Sequence, residues 1–475
     1  MQHGDIMELK DYMNKLFYPK SIAIIEASEK IPWYIRGIIE RGFEGELYLV
    51  SKEKKLFGIE CYNDISELPD NIDFTIIVIN KRRLLDIIKK CIQKNFQTLH
   101  IFSAGLGEYD DYGAEIEQKL HDLLKNSNTR AIGPNCMGIY STGGKISYSP
   151  YFSTKICEKS CVSFVSHSGD LTTRYVIKEN EYGVNFSTVA SIGNSVDLNF
   201  TDFINYFNEN EKTEIIAGYF EGFSKYYKSE GRYLLKILKN LKKPALILRG
   251  GVSEQGKRAV SSHTGTIASD SKIWDSIFKQ TPAIKINTYE ELIDSTIAFY
   301  YCKNICPTVK SILLITWSGG KAVLGVDRIV KLGIDVPKIQ EPTRSKLQSM
   351  ISIGSILNPL DLPWIGRKEK FFEICKIAID EPYIGGIIFE TFAPLEFDKG
   401  YEIYYNNIIR IFKYANSVKK PFLISLPYFN VIQREKLKNK FVKDSVPIFP
   451  SIERAAKAFL NLYNYQKKQS FYSKS

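Results

Sequence analysis

A chain of 475 residues, 44% hydrophobic and 25% charged, has the make-up of a globular protein too long for one core, so two to four domains are expected. No apolar run approaches the roughly 20 residues of a membrane helix, and the opening MQHGDIMELKDYMNKLF lacks the apolar core of a secretory signal, so the chain reads as cytoplasmic, with no membrane partner. The net charge of +11 is spread over the whole length, which reads as a lysine-rich surface and not a nucleic-acid face, and the eight cysteines show neither a CxxC pair nor a histidine placed to complete a zinc site.

The first 130 or so residues alternate apolar runs with amphipathic stretches. Strands are expected at 21–26, 46–50, 73–79, 98–102 and 129–132, and helices at 32–41, 81–94 and 113–125. This alternation predicts a parallel, doubly wound sheet, which binds ligands at the carboxyl ends of its strands. The loop after the first strand, Glu26 to Gly37, places a carboxylate at 26 and bulky side chains at Trp33 and Arg36, an altered phosphate loop. A turn-rich linker at 132–139 leads into a second α/β unit. There the strand at 163–165 runs through Ser166-His167-Ser168-Gly169-Asp170 into a helix at 171–180, an anion site made of free backbone N–H groups and the helix dipole. A strand at 214–220 ends in Glu221, a carboxylate placed either to orient an imidazole or simply to sit in a solvated turn.

After the buried strand at 244–248 comes GGVSEQGKRAVSSHTGTIASD, residues 250–270, which reads as a glycine-rich loop around one histidine, His263. An imidazole among small hydroxyl residues is a candidate nucleophile toward an anionic group. The stretch 301–309 reads as a linker. A third α/β unit starts with a strand at 311–316, the loop Trp317-Ser318-Gly319-Gly320-Lys321 and a helix through 332. Later strands are expected at 385–390, 421–426 and 447–449, with a turn at 358–362, a last helix at 451–463 and a fraying Lys/Ser-rich tail.

In chain order the motifs are GPNCMGI (133–139), VSHSGD (165–170), SIGNSVD (191–197), YFEG (219–222), RGGVSEQGKRAVSSHTGTIASD (249–270), TWSGG (316–320) and NPLDL (358–362). This series resembles the alpha subunit of the NDP-forming acyl-CoA synthetases, typified by the ADP-forming acetyl-CoA synthetase and related to succinyl-CoA synthetase, over about residues 15–465. The resemblance implies a Rossmann-like CoA-binding domain at 1–135 followed by two flavodoxin-like ligase domains, at 136–303 with the phosphohistidine loop and at 304–475. It implies reversible ligation of a carboxylic acid to CoA through acyl-phosphate and phosphohistidine intermediates. His263 is then the phosphoryl carrier and Glu221 its supporting carboxylate, with phosphate held by Ser166, Ser168 and Gly169 and by Ser318, Gly319 and Gly320. The implied CoA site is Ala27, Ser28, Ser103, Ala104, Pro134 and Asn135. ATP/ADP and Mg2+ are expected on a separate ATP-grasp beta subunit, giving a hetero-oligomer. The departures at Glu26, Trp33, Arg36, His167, Asp170, Trp317 and Lys321 leave two other readings: an acyl-phosphate ligase with a non-CoA acceptor, and a non-catalytic relative that binds a partner synthetase.

Overall fold

The computed structural model describes residues 6–152, 160–264, 271–363, 366–427 and 430–472. Three α/β sheets carry the fold. The first runs, in spatial order, Lys55–Leu56, Ile59–Tyr62, Glu46–Val50, Ser21–Ile25, Phe74–Ile77, Thr98–Ile101, Arg130–Ile132. All its pairings are parallel except the short ribbon at one edge. The second runs Ile284–Ile286, Ala245–Arg249, Ile215–Phe220, Val162–Ser166, Phe186–Ser191, Gly138–Ser141, Ile146–Ser147, its last two strands antiparallel. The third runs Ser355–Ile356, Leu360–Asp361, Ile312–Thr316, Gly386–Glu390, Phe422–Ser425, Ile448–Phe449.

Strands buried on both faces read as unbroken apolar runs, and VSFVS, IIAGYF and ILLIT are buried almost throughout. In each sheet the chain winds to one side of a central strand and then returns to the other. The reversals fall beside Ser21–Ile25, Val162–Ser166 and Ile312–Thr316. The crevices opened at the carboxyl ends of these strands are where doubly wound sheets bind ligands.

The chain divides into two compact units, Met1–Asn180 with Asn185–Asn287, and Glu181–Val184 with Thr288–Ser475. Within the first unit, Arg130 and Asp197 form a buried ion pair (Nη2–Oδ1 2.8 Å) that joins the first sheet to the segment after Phe186–Ser191. The helix Tyr289–Cys302, read from sequence as closing the middle domain, belongs to the second unit, where it lies along the C-terminal helix Ile452–Tyr472 and Arg454 grips Asp294 (2.6 Å).

Four local expectations differ from the structure. The stretch 250–270 is no open loop throughout: Glu254–Thr264 is a helix. Ser253 starts it, its hydroxyl accepting from Gly256 N (3.0 Å), and the sequence EQGKRAV contains only one glycine to oppose it. The linker at 132–139 feeds the strand Gly138–Ser141, and the turn at 358–362 contains Leu360–Asp361, which pairs with Ile315 and Thr316. The tail does not fray at 463: the last helix continues to Tyr472, with Tyr465 edge-on to Phe299 at 5.4 Å.

Candidate functional site

Ser166 is the last residue of its strand, and the helix Gly169–Glu181 begins three residues later. The turn between them is held from within. Ser166 Oγ accepts from Ser168 N (3.1 Å) and donates to Ser168 O (3.0 Å), and Thr172 Oγ1 donates to Ser168 O (2.6 Å). A Cβ on Gly169 would lie 2.4 Å from Met137 Cγ, so glycine lets the GPNCMGI segment close on this helix start without displacing the Met137 side chain. Asp170, the carboxylate at the same end, is paired with Arg174 (2.7 Å) on the exposed face.

Across the crevice, Glu221 follows the end of Ile215–Phe220 and is only 5% exposed. The Tyr219 hydroxyl hydrogen-bonds it, and burial followed by this carboxylate holds the Tyr219 phenol well above its usual range. Glu221 Oε2 has no hydrogen-bond partner among the described residues. A buried carboxylate oxygen left without a donor is costly unless a partner arrives. His167 links the two edges: its Nδ1 lies 3.4 Å from Tyr219 O and 3.5 Å from Glu221 N, and its ring stacks on Phe200. Burial lowers the His167 pKa, with Glu221 opposing. His167 is thus a neutral wedge that fixes the Glu221 backbone.

Gly250 N donates to Phe220 O (2.8 Å), so the segment leading to His263 departs directly beside Glu221. A Cβ at Gly250 would meet the Tyr219 hydroxyl at 2.6 Å and Glu221 Cγ at 3.4 Å. The backbone of His263 lies in the last turn of the helix Glu254–Thr264, and residues 265–270 of the motif lie outside the described residues.

In the second unit, Ser318 precedes the helix Gly319–Lys331 without a side-chain cap. Asp361 Oδ2 lies 3.2 Å from where a Gly319 Cβ would sit, and its Oδ1 is buried without a partner among the described residues. Burial raises the Asp361 pKa. Lys321, one of the departures from the family pattern, pairs with buried Glu390 (2.7 Å).

The residues expected to hold CoA are scattered along the carboxyl edge of the first sheet. Glu26 takes a left-handed backbone (φ 60°), as a glycine would, and its carboxylate pairs with Arg83 at 2.7 Å. Three of the turn's donors are already used: Ala27 N bonds Val50 O (2.9 Å), and Lys30 N and Ile31 N bond Ser28 (3.1 and 3.2 Å). Beyond Ser103 and exposed Ala104, the N–H groups of Gly105 and Leu106 are taken by Glu108 (2.6 and 3.1 Å), and that of Gly107 by Glu117 (3.2 Å). Ser103 O accepts from Asn135 N (2.9 Å), and Pro134 O accepts from Asn194 N (3.0 Å). The N–H groups of Ala27, Lys30, Ile31, Gly105, Leu106 and Gly107 are therefore already partnered within the fold. Cationic groups at this edge include Lys81, Arg82 and Arg83, which open the helix Lys81–Gln93; among the described residues Arg82 makes no ion pair.

Sequence reasoning missed Asn194. It is 4% exposed and donates to both Glu108 (2.7 Å) and Glu117 (2.8 Å), tying the SIGNSVD motif to the first sheet. The signal was present as SIGN, but its partners are 77 and 86 residues away. Among the described residues no cluster of three or more His, Cys, Asp or Glu is arranged for a metal, and no helix is long and apolar enough to cross a membrane.

Comparison with known proteins agrees with this geometry. A CoA binding domain matches residues 20–142, and a succinyl-CoA ligase-like flavodoxin domain matches 159–299. The alpha subunit of an ADP-forming acetate–CoA ligase II from Pyrococcus furiosus is 29% identical over 469 residues, covering 96% of this chain and 98% of its own. An ADP-forming acetate–CoA ligase from Methanocaldococcus jannaschii is 34% identical over 363 residues, 74% of this chain and 49% of its own, so this chain spans about half of that relative. The fold matches that of the acetyl-coenzyme A synthetase 1 of Ca. Korarchaeum cryptofilum, with TM-score 0.82, 23% identity and coverage of 98% of this chain and 99% of that one. With the motif series, the three sheets and these relatives in agreement, the chain belongs to the NDP-forming acyl-CoA synthetase family, among its alpha subunits.

Proposed function

We propose that this chain is the alpha subunit of an acid–thiol ligase that joins a carboxylic acid to CoA, reversibly, as a nucleoside triphosphate is converted to the diphosphate and phosphate. The observation that carries the mechanism is the buried Glu221 oxygen without a partner, at the second sheet's switch point and beside the start of the His263 segment. His263 is the phosphoryl carrier. One imidazole nitrogen forms the N–P bond as the P–O bond of an acyl phosphate breaks and the carboxylate leaves. The other nitrogen keeps its proton and donates a hydrogen bond through it to Glu221, which fixes the tautomer and stabilises the charged ring. The turn Ser166, Ser168 and Gly169 receives the phosphoryl group at the N-terminus of a 13-residue helix. Ser318, Gly319 and Gly320 form the corresponding turn of the second unit. Phosphoryl transfer asks mainly for positioning and positive electrostatics, which helix ends supply.

Bound CoA supplies the thiol that takes the acyl group. Its phosphates are held chiefly by Lys81, Arg82 and Arg83, with Ala27, Ser28, Ser103, Ala104, Pro134 and Asn135 shaping the edge. The nucleotide and Mg2+ reside on an ATP-grasp beta subunit, so the enzyme is a cytoplasmic hetero-oligomer. The three domains are those expected at 1–135, 136–303 and 304–475, except that the helix Tyr289–Cys302 packs with the last of them. Incubation with the partner and radiolabelled ATP yields acid-labile label on this chain. No label on the wild type, or equal label on His263→Ala, overturns the mechanism.

A further inference from the structure

One buried carboxylate joins the edge assigned to CoA with the segment that carries Glu221. Glu117 lies in the helix Asp111–Lys125 and is 2% exposed. Its Oε2 accepts from Gly107 N (3.2 Å), in the turn after Thr98–Ile101, and from Asn194 Nδ2 (2.8 Å). Its Oε1 meets Lys225 Nζ at 2.9 Å and accepts from Tyr226 Oη at 3.1 Å. Lys225 and Tyr226 stand four and five residues after Glu221. A carboxylate offers lone pairs to four donors, whereas an amide has a single accepting atom, so this junction needs Glu at 117.

Both arms of the junction are taut. On the first-sheet side Asn194 Nδ2 also donates to Glu108 (2.7 Å), which holds Gly105 N and Leu106 N. Asn194 Oδ1 accepts from Asn135 Nδ2 (3.4 Å), a residue of the implied CoA edge. A Cβ on Gly107 would lie 2.6 Å from Glu117 Oε1, so the turn rests directly on the carboxylate. On the other side the residues between Glu221 and Lys225 have no slack. Phe223 lies against Phe220 and stacks on Trp274, and Ser224 N donates to buried Glu230 (2.9 Å). The Tyr226 ring stacks on His121 at 4.3 Å and packs against the core of the first sheet. The Glu221 segment is thus fastened to the first sheet at Glu117, inside one compact unit.

We infer that Glu117 is a positioning residue for the ligation, with Tyr226 and Asn194 as its two arms: it fixes Glu221 relative to the CoA edge, so that a change at the junction is felt at both. The inference rests on the synthetase reading. In that cycle the thiol of CoA must reach the acyl group while Glu221 serves His263, and a misplacement of about 1 Å costs on the order of 100-fold in rate.

The test uses the full chain with its partner subunit. The initial rate of acid-labile label from radioactive ATP, without CoA, reads the Glu221 side; calorimetric titration with CoA reads the first edge. Tyr226→Phe removes one hydroxyl and keeps the ring on His121. It slows labelling at least about fivefold at unchanged KM for ATP and weakens CoA binding at least about threefold. Glu117→Gln leaves donors without an acceptor and slows labelling at least about tenfold. The double variant labels like Glu117→Gln alone, because Tyr226 acts through Glu117. If Tyr226→Phe labels and binds CoA like the wild type, the inference is overturned. A change in only one of the two readouts, or losses that multiply in the double variant, also overturns it. So do losses that vanish when rates are taken per folded chain, with folding followed by circular dichroism. No label on the wild type defeats the synthetase mechanism, and CoA binding by Tyr226→Phe then decides the junction alone, equal affinity overturning it. A wild type that neither labels nor binds CoA overturns both.

Discussion

Replacing Glu221 by Gln separates catalysis from folding because its two effects have opposite signs. The side chain is 5% exposed, hydrogen-bonded by Tyr219 and without a partner on Oε2 among the described residues. Glutamine keeps the shape and removes the charge. An amide is easier to bury than an incompletely satisfied carboxylate, so the folded state is unchanged or gains up to about 1 kcal/mol. The lost interaction is a charge-assisted hydrogen bond to the imidazole as it becomes cationic, worth about 1.5–3 kcal/mol, or roughly a 10- to 150-fold slower phosphorylation of His263. The assay is the initial rate of acid-labile label from radioactive ATP in the presence of the partner subunit, with Tm measured on the same preparations. A labelling rate within twofold of wild type refutes the role given to Glu221. A Tm drop of more than about 4 °C, corresponding to over about 1 kcal/mol in a unit of this size, refutes the stability half and makes Glu221 a structural group.

Other outcomes follow from single contacts. Gly169→Ala drives a Cβ into Met137 at 2.4 Å; the flexible side chain yields, so stability falls by about 1 kcal/mol while labelling slows at least tenfold, and adding Met137→Ala recovers the stability on a double-mutant cycle. Asp197→Ala removes the carboxylate that the buried Arg130 guanidinium grips and destabilises the first unit by about 3–5 kcal/mol, read by urea denaturation. His100 is fully buried and burial lowers its pKa to about 4. Its folded value lies below its unfolded one, so the unfolded chain binds more protons between these values and stability is lost as pH falls from about 6.5 toward 4; His100→Phe flattens this limb in denaturation measured at several pH values. Glu230 has the opposite sense: burial raises its pKa to about 8, so the wild type loses stability as pH rises from about 4.5 to 8 and Glu230→Gln removes that loss over the same window.

The strands were legible because both faces of these sheets are covered, which makes Ala245–Arg249 or Ile312–Thr316 a short unbroken apolar run. The crevice residues were legible for a related reason. Ser166 and Glu221 stand at the carboxyl ends of such runs, and a parallel sheet brings neighbouring ends together through the pairing of Val162–Ser166 with Ile215–Tyr219. Three features were hidden. The helix at Glu254–Thr264 was masked by the glycines that flank it, at 250, 251 and 265, and only the Ser253 cap marks its start. The continuation of the last helix to Tyr472 depends on Tyr465 finding Phe299, which no local pattern announces. The filling of the N–H groups at Gly105, Leu106 and Gly107 by Glu108 and Glu117 depends on a turn geometry that sequence does not specify, and Asn194 locks it from a distant loop.

The three sheets repeat one plan, and the differences among them argue for where the chemistry lies. At the first switch point Glu26 is answered by Arg83 at 2.7 Å. At the third, Glu390 is 3% exposed and answered by Lys321, also at 2.7 Å. Burial pushes the Glu390 carboxyl up, with Lys321 pulling it back, so that pair is self-contained. At the second switch point the carboxylate is as deeply buried, yet among the described residues no cation pairs with Glu221, and His167, the ring beside it, is held neutral by its own burial. A buried anion persists in a fold only if something meets its charge during the working cycle. An imidazole that gains positive character when it is phosphorylated meets that charge at one step and releases it at the next. A fixed lysine or arginine at the same place would bind Glu221 permanently and leave no free acceptor for the histidine. The vacant carboxylate is therefore the feature expected of a site whose cation is transient. Asp361 on the third sheet also has a buried oxygen without a partner among the described residues, but its side chain is only partly buried, whereas Glu221 is 5% exposed and the helix that carries His263 leaves from beside it.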